Sequence, residues 1–195
     1  MTNFFIIHGA YGDPDENWFP WLKSELEEKG YAVFVPEFPT PENQTLENWL
    51  EVFEEYKDKV DQESVFIAHS LGPAFVLNFL ERNDKKIKAC FFVAACADRL
   101  GIEKFDEINK SFVNHDFDWQ KIKELCEKFI MFHSLNDPYI PVREAEKMAL
   151  KLNADLTVLK NAEHFNEDAG YFDFPMLLEK MERELNLGDK MRAQE

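Results

Sequence analysis

At 195 residues the chain has room for one sizeable hydrophobic core, whereas two independent cores would each be small. Its 22 Lys+Arg against 38 Asp+Glu leave a net charge of −16, which repels phosphate backbones and anionic lipid surfaces, so neither nucleic acid nor membrane is expected as a partner. A hydrophobic content of 45% with 19 Phe is too rich for a disordered acidic chain and implies one globular domain over residues 1–187, with a polar, frayed tail over 188–195.

The chain begins with the apolar run Phe4–His8, and its first residues carry neither a basic n-region nor a cleavage site. They read as a cytoplasmic protein starting directly with a strand. Further runs of the same kind are Ala32–Val35, Val65–Ala68, Ala89–Ala94, Phe129–Phe132 and Leu156–Leu159. Each is too short for a stable helix and reads as a fully buried strand.

Helical patterns lie between these runs. The first starts near Asn17, takes Pro20 in its opening turn and ends at Gly30. Leu46, Trp49, Leu50, Phe53 and Val60 form the apolar stripe of one helix whose other faces carry Glu47, Glu51, Glu54, Glu55 and Asp58. Leu71–Leu80, Val142–Leu152 and Phe174–Leu185 repeat the pattern. Asp98 to Trp119 breaks the rhythm and reads as an excursion at the sheet's carboxyl edge with a helical turn. The alternation predicts an α/β fold: a three-layer α/β/α sandwich around a mostly parallel sheet of about six strands. Cys90, Cys96 and Cys126 are odd in number, lack Cys-x-x-Cys spacing and sit among apolar neighbours, which fits reduced thiols filling a core.

In open α/β sheets ligands sit beyond the carboxyl ends of the strands, so the residues just after each apolar run are the informative ones. After Val65–Ala68 comes His69-Ser70-Leu71-Gly72-Pro73, a serine at a tight strand-to-helix turn flanked at two residues' distance by the small Ala68 and Gly72. By itself Ser70 suits a helix cap equally well. After Phe129–His133 comes Asn136-Asp137-Pro138, and after Leu156–Lys160 comes Glu163-His164-Phe165. The chain order Ser70, Asp137, His164, each after its own strand, is that of α/β-hydrolase catalytic triads. Taken singly, Asp137 suits a turn before Pro138 and His164 an ordinary loop; Asp98, after the Ala89–Ala94 run, is a rival acid at the same carboxyl edge, and Asp137 is the favoured one. After the first strand, His8-Gly9-Ala10-Tyr11-Gly12 supplies a backbone amide, that of Ala10, which could face the amide of Leu71 as a two-donor oxyanion hole. Tyr11, Trp18, Phe105 and Phe112 are candidate pocket walls. His8, His69, His115 and His133 show no paired spacing of a metal-binding helix, so no metal is expected.

Together, His8–Gly12, Trp18–Leu22, Ala68–Gly72, Asn136–Pro141 and Ala162–Asn166 resemble the small serine hydrolases typified by retinoblastoma-binding protein nine, over roughly Asn3 to Leu187. The resemblance implies a minimal α/β-hydrolase fold without a large lid, and an intracellular carboxylesterase- or peptidase-like activity with Ser70, Asp137 and His164 in the catalytic roles. Ala68 stands where the family has glycine. The namesake's Leu-x-Cys-x-Glu motif is absent, because Lys88, Ala94 and Glu124 precede the three cysteines, so no retinoblastoma-type partner is implied. The expected function is hydrolysis of a small ester, thioester or amide through an acyl-serine, without a cofactor. Acyl transfer to another acceptor and a binding module on a hydrolase fold are the alternatives. Asp13, Asp15, Glu163, Glu167 and Asp168 fall in the same carboxyl-edge loops and would disfavour anionic substrates.

Overall fold

A computed structural model describes residues 2–188. The expected frayed tail lies outside the described residues apart from Gly188, whose carbonyl accepts a hydrogen bond from the Tyr31 hydroxyl at 3.2 Å.

Six strands, β1 (Asn3–Ile7), β2 (Ala32–Phe34), β3 (Val65–His69), β4 (Ile87–Val93), β5 (Cys126–Ser134) and β6 (Asp155–Leu159), form one sheet in the spatial order β2-β1-β3-β4-β5-β6. Every neighbouring pair is parallel. Because strand side chains alternate between faces, Phe5, Ile7, Phe66, Phe92 and Met131 point to one layer, and Phe4, Ile6, Ile67, Phe91 and Phe132 to the other. The second layer is closed by α1 (Phe19–Glu28) and α7 (Pro175–Leu185) through Phe19, Leu22, Leu26, Leu177 and Met181. The first is closed by α2 (Leu46–Phe53), α3 (Gly72–Arg82), α5 (Trp119–Leu125) and α6 (Val142–Leu152), joined by the inner end of α4 (Glu103–Val113). The result is the expected α/β/α sandwich, with no large lid. No helix among the described residues is long and apolar enough to cross a membrane.

Aromatic packing dominates the first layer. Phe5 stacks on Phe66 at 4.8 Å between ring centroids, and Trp49 lies against Phe38 at 4.5 Å and Phe112 at 4.9 Å. Each such ring removes roughly 2 kcal/mol worth of apolar surface from water, and edge or offset contacts add to that. The acids of α2 are exposed as expected, and the three cysteines are free and buried, with the Sγ atoms of Cys90 and Cys126 3.7 Å apart.

Three expectations are corrected. The helix expected over 46–60 ends at Phe53 and continues as a 3-10 turn over Glu54–Lys59. At three residues per turn Phe53 and Tyr56 fall on one side, where their rings stack at 5.9 Å, and Val60 then extends into the core. The strands expected to be fully buried at Ala32–Val35 and Leu156–Leu159 are the two sheet edges, β2 with Val33 alone of its run buried and β6 with Asp155 and Val158 exposed, because no strand lies beyond either. The excursion over Asp98–Trp119 holds more than a helical turn: it contains all of α4 and the start of α5. Asp106 accepts the amides of Leu100 at 2.7 Å and Gly101 at 3.0 Å, fixing the approach to α4, and Asp118 accepts from the Lys121 amide at 3.0 Å to start α5.

Candidate active site

Ser70 follows the last residue of β3 with φ +58°, in the left-handed region that a serine adopts only under constraint. Its amide donates to the Val93 carbonyl at 3.0 Å and its carbonyl accepts from the Cys96 amide at 2.8 Å, so the carboxyl end of β4 pins both sides of the turn. The flanking positions are as crowded as a tight strand-to-helix turn demands. A methyl group at Gly72 would come within 2.6 Å of the Ile7 carbonyl oxygen, and one at Gly9 within 2.6 Å of the Ser70 Cβ. Ala68 is completely buried and its methyl packs into the first core layer, which is how the turn accommodates it in place of glycine.

The loops after β5 and β6 converge on this serine. His164 Nε2 lies 3.0 Å from Ser70 Oγ, and His164 Nδ1 lies 2.8 Å from Asp137 Oδ2. A carboxylate only accepts, so Nδ1 carries the proton and Nε2 presents its lone pair to the serine hydroxyl. The Asp137 side chain has no exposed surface. Burial pushes its carboxyl up, but the hydrogen bond and charge of His164, together with the amides of Ile140 and Tyr139 at 2.9 Å, outweigh that and hold it below the usual carboxylate range. Asp137 is thus a turn residue through Oδ1 and a histidine partner through Oδ2. Asp98, the rival acid, is exposed and accepts from the Arg99 amide next to it.

The two loops are also tied to each other. Ser134 Oγ accepts from the Ala162 amide at 2.9 Å, and Asn136 Oδ1 accepts from the Glu163 amide at 3.0 Å and the Ser134 hydroxyl at 2.6 Å. On the other side, Ala10 and Leu71 both face the cavity above Ser70, and among the described residues their backbone amides donate to nothing. Two free N–H groups beside a serine hydroxyl can receive an oxygen that gains negative charge.

A cavity of about 320 Å³ opens over Ser70, His69 and His164. One wall is apolar: Leu71, Leu100, Phe105, Tyr139 and Ile140. Within it Tyr11, Phe105, Tyr139 and His164 form an arc of edge-on rings, with successive centroid distances of 6.2, 5.7 and 4.9 Å. A polar part of the lining carries Glu16, Asn17, Asn166, Glu167 and Asp168. Asn17 joins this part together. Its amide donates to Glu167 Oε1 at 2.8 Å, its Oδ1 accepts from the Glu167 amide at 2.9 Å, and its Nδ2 donates to Glu16 Oε1 at 2.9 Å. Burial, and then the charges of Asp13 and Glu167, raise the Glu16 carboxyl above its ordinary value.

Tyr11 and Phe105 therefore line the cavity, while Trp18 and Phe112, expected as walls, do not. Trp18 is fully buried in the second core layer, where its Nε1–H donates to the Phe165 carbonyl at 3.0 Å and its ring meets Phe19 and Phe174. Phe112 is seven residues beyond Phe105, about 10 Å further along α4, and that distance carries it from the cavity into the core against Trp49. Of the five acids expected near the site, Glu167 and Asp168 reach the cavity, and Asp13, Asp15 and Glu163 are not among its lining residues.

A family model described as serine hydrolase matches residues 4–183. The chain belongs to the serine hydrolase family. YdeN of Bacillus subtilis (strain 168) is 30% identical to this serine hydrolase family member over 176 residues, 89% of this chain and 90% of that protein. The serine hydrolase RBBP9 of Rattus norvegicus is 28% identical over 167 residues, 84% of this chain and 87% of its own. The crystal structure of the B. subtilis ydeN gene product matches the fold with a TM-score of 0.89 at 26% identity, covering 95% of this chain and 100% of that one. The sheet, its helices and its neighbours make the fold α/β-hydrolase-like.

Sequence reasoning missed Glu16, Asn17, Asn109 and Tyr139 in this family member's cavity. Tyr139 follows Asp137 by two residues and Glu16 lies in the loop after β1, so their position after strand ends was the available signal. Asn109 carried none, because it lies on α4, in a stretch that reads as irregular.

Proposed function

We propose that this chain hydrolyses a small ester, thioester or amide through an acyl-Ser70 intermediate, as a carboxylesterase-like enzyme. The observation that carries the reading is the continuous line from Ser70 Oγ to His164 Nε2 at 3.0 Å and from His164 Nδ1 to Asp137 at 2.8 Å. His164 accepts the Ser70 proton as Oγ attacks the acyl carbon, and the carbonyl electron pair moves onto oxygen between the amides of Ala10 and Leu71. Each amide contributes roughly 3 kcal/mol to that oxyanion. His164 then protonates the leaving group as its bond to the acyl carbon breaks. A water next gives its proton to His164 and attacks the acyl-enzyme, and His164 returns the proton to Ser70 as the acid departs. Asp137 holds the imidazole in the required tautomer and stabilises it when charged.

A cavity near the lower end of the usual ligand-pocket range favours small substrates. The apolar wall suits an uncharged acyl or alcohol group, and the Glu16, Glu167 and Asp168 wall disfavours anions. The direct test is labelling with a fluorophosphonate probe. Wild-type protein is expected to form a stoichiometric adduct on Ser70, and folded Ser70→Ala to form none. A folded wild type that does not label, or unchanged labelling in Ser70→Ala, overturns the proposal.

A further inference from the structure

The mechanism uses one of the chain's five histidines. Three others, His8, His69 and His133, are buried, and each sits at the carboxyl end of a strand with a ring nitrogen on a loop carbonyl of the site. His8 Nδ1 lies 2.8 Å from the Gly9 carbonyl oxygen, beside Ala10. His133 Nε2 lies 2.9 Å from the Ile140 carbonyl oxygen in the Asp137 turn. His69 Nε2 lies 2.7 Å from the carbonyl oxygen of His164 itself. A carbonyl only accepts, so in each case the named nitrogen carries the proton.

We infer that His69 is a positioning residue, whose Nε2–H holds the His164 backbone so that the His164 imidazole spans Ser70 and Asp137. The loop needs such a hold. His164 lies between Glu163 at φ +46° and Phe165 at φ +55°, two side-chain-bearing residues in left-handed conformations that cost energy unless neighbouring contacts impose them. The next carbonyl along, that of Phe165, is held by Trp18 Nε1–H at 3.0 Å, and Asn17 holds Glu167 after it, so His69 is the first of three successive tethers. It is also the only one that acts on the residue contacting Ser70. His69 is the last residue of β3, with its ring between Trp18, Phe19 and the His164 ring, so its donor is fixed by the sheet. Burial first, and the neighbouring His164 second, push its imidazole down to about 3; Asp137 and His8 are the other titratable groups facing it. A neutral ring in that place leaves room for the positive charge His164 takes up during acylation.

This inference rests on the proposed roles of Ser70 and His164, and the test separates the two. The measurement is the second-order rate of fluorophosphonate labelling, with kcat and KM for p-nitrophenyl acetate, on wild type, His69→Phe and His69→Gln. Phe keeps the ring volume and loses the donor, while the Gln side-chain amide places an N–H near the position of Nε2–H. Labelling and kcat are expected to fall on the order of 10- to 100-fold in His69→Phe with KM little changed, and to recover toward wild type in His69→Gln. Labelling of wild type with an equal rate in His69→Phe overturns the inference alone, as does an equal loss in both variants; a wild type that never labels overturns the nucleophile assignment and the inference with it. Should His69→Phe fail to fold, histidine ¹⁵N spectra of wild type decide: a neutral His69 protonated on Nε2 from about pH 5 to pH 8 supports the inference, and an Nδ1–H tautomer or titration in that range overturns it.

Discussion

Left-handed backbone occurs in two settings in this molecule, and different residues carry it. At the ends of α6 and α7 it falls on Asn153 and Asn186, where it closes the helix, and Asn43 takes it in a turn. Asparagine tolerates that conformation because its short side chain bonds locally. At the carboxyl edge of the sheet it falls on Tyr11, Ser70, Ala94, Glu163 and Phe165, residues that gain nothing from it themselves, with Asn17 beside them. Each such residue costs about 1 to 3 kcal/mol. Helix ends use residues suited to their shape, whereas the edge imposes its shape through long-range bonds: Val93 and Cys96 on Ser70, and His69 and Trp18 around Phe165. The difference teaches that the site's geometry is held by partners far away in sequence and not by local preference.

The largest expected effect separates function from fold at that edge. Asp137→Asn should lower kcat by about 10⁴-fold with a modest loss of stability, because the carboxylate that fixes the His164 tautomer is gone. Asp98→Asn, a change at an exposed acid, should leave kcat near wild type. Steady-state kinetics on an activated ester check both, and a larger loss at Asp98 would show that the acid has been misassigned.

A second test uses pH, because the edge is rich in buried histidines and the helix ends are not. The His69 imidazole is at about 3 in the folded chain, against an ordinary value near 6.5, so above pH 6.5 neither folded nor unfolded chain binds the proton. Below pH 6.5 the unfolded chain binds it and the folded chain does not, so stability falls with falling pH, by about 1.4 kcal/mol per unit for His69. Burial lowers His8 and His133 too, which adds to the slope in the same direction. Denaturant midpoints should stay level from pH 7.5 to about 6.5 and decline from there to pH 5, and His69→Phe should flatten part of that decline. A flat wild-type profile would contradict the buried neutral state.

The smallest effect addresses the strain itself. Glu163→Gly should relieve a left-handed side chain and raise stability by about 1 kcal/mol, whereas Asn153→Gly should change it by only a few tenths. Equal shifts in thermal unfolding would mean that the edge is no more strained than the helix ends.

Much of this architecture was legible in the chain. Phe4–Ile7, Val65–Ala68 and Ala89–Val93 are short apolar runs, and such runs can hide their side chains only in a sheet covered on both faces. The small Ala68 and Gly72 on either side of Ser70 suited a tight turn as well as a helix cap, and the placement of Asp137 and His164 after their own strands made all three candidates. Less was legible where destination depends on a partner. The scattered Phe105, Phe112 and Trp119 concealed α4 and α5, because their apolar spacing is sparse and the turns are set by Asp106 and Asp118.

By itself, then, the sequence determined the alternation of strands and helices, the parallel sheet and the residues that follow each strand, since these depend on periodicity and on turn chemistry within a few residues. Only the tertiary structure decided that Phe105 walls the cavity while Phe112 fills the core, that β6 is an edge, that Asp137 and not Asp98 meets His164, and that His69 holds the His164 loop. Each of these turns on which atoms from distant strands lie within about 3 to 5 Å of one another, and no local pattern encodes that distance.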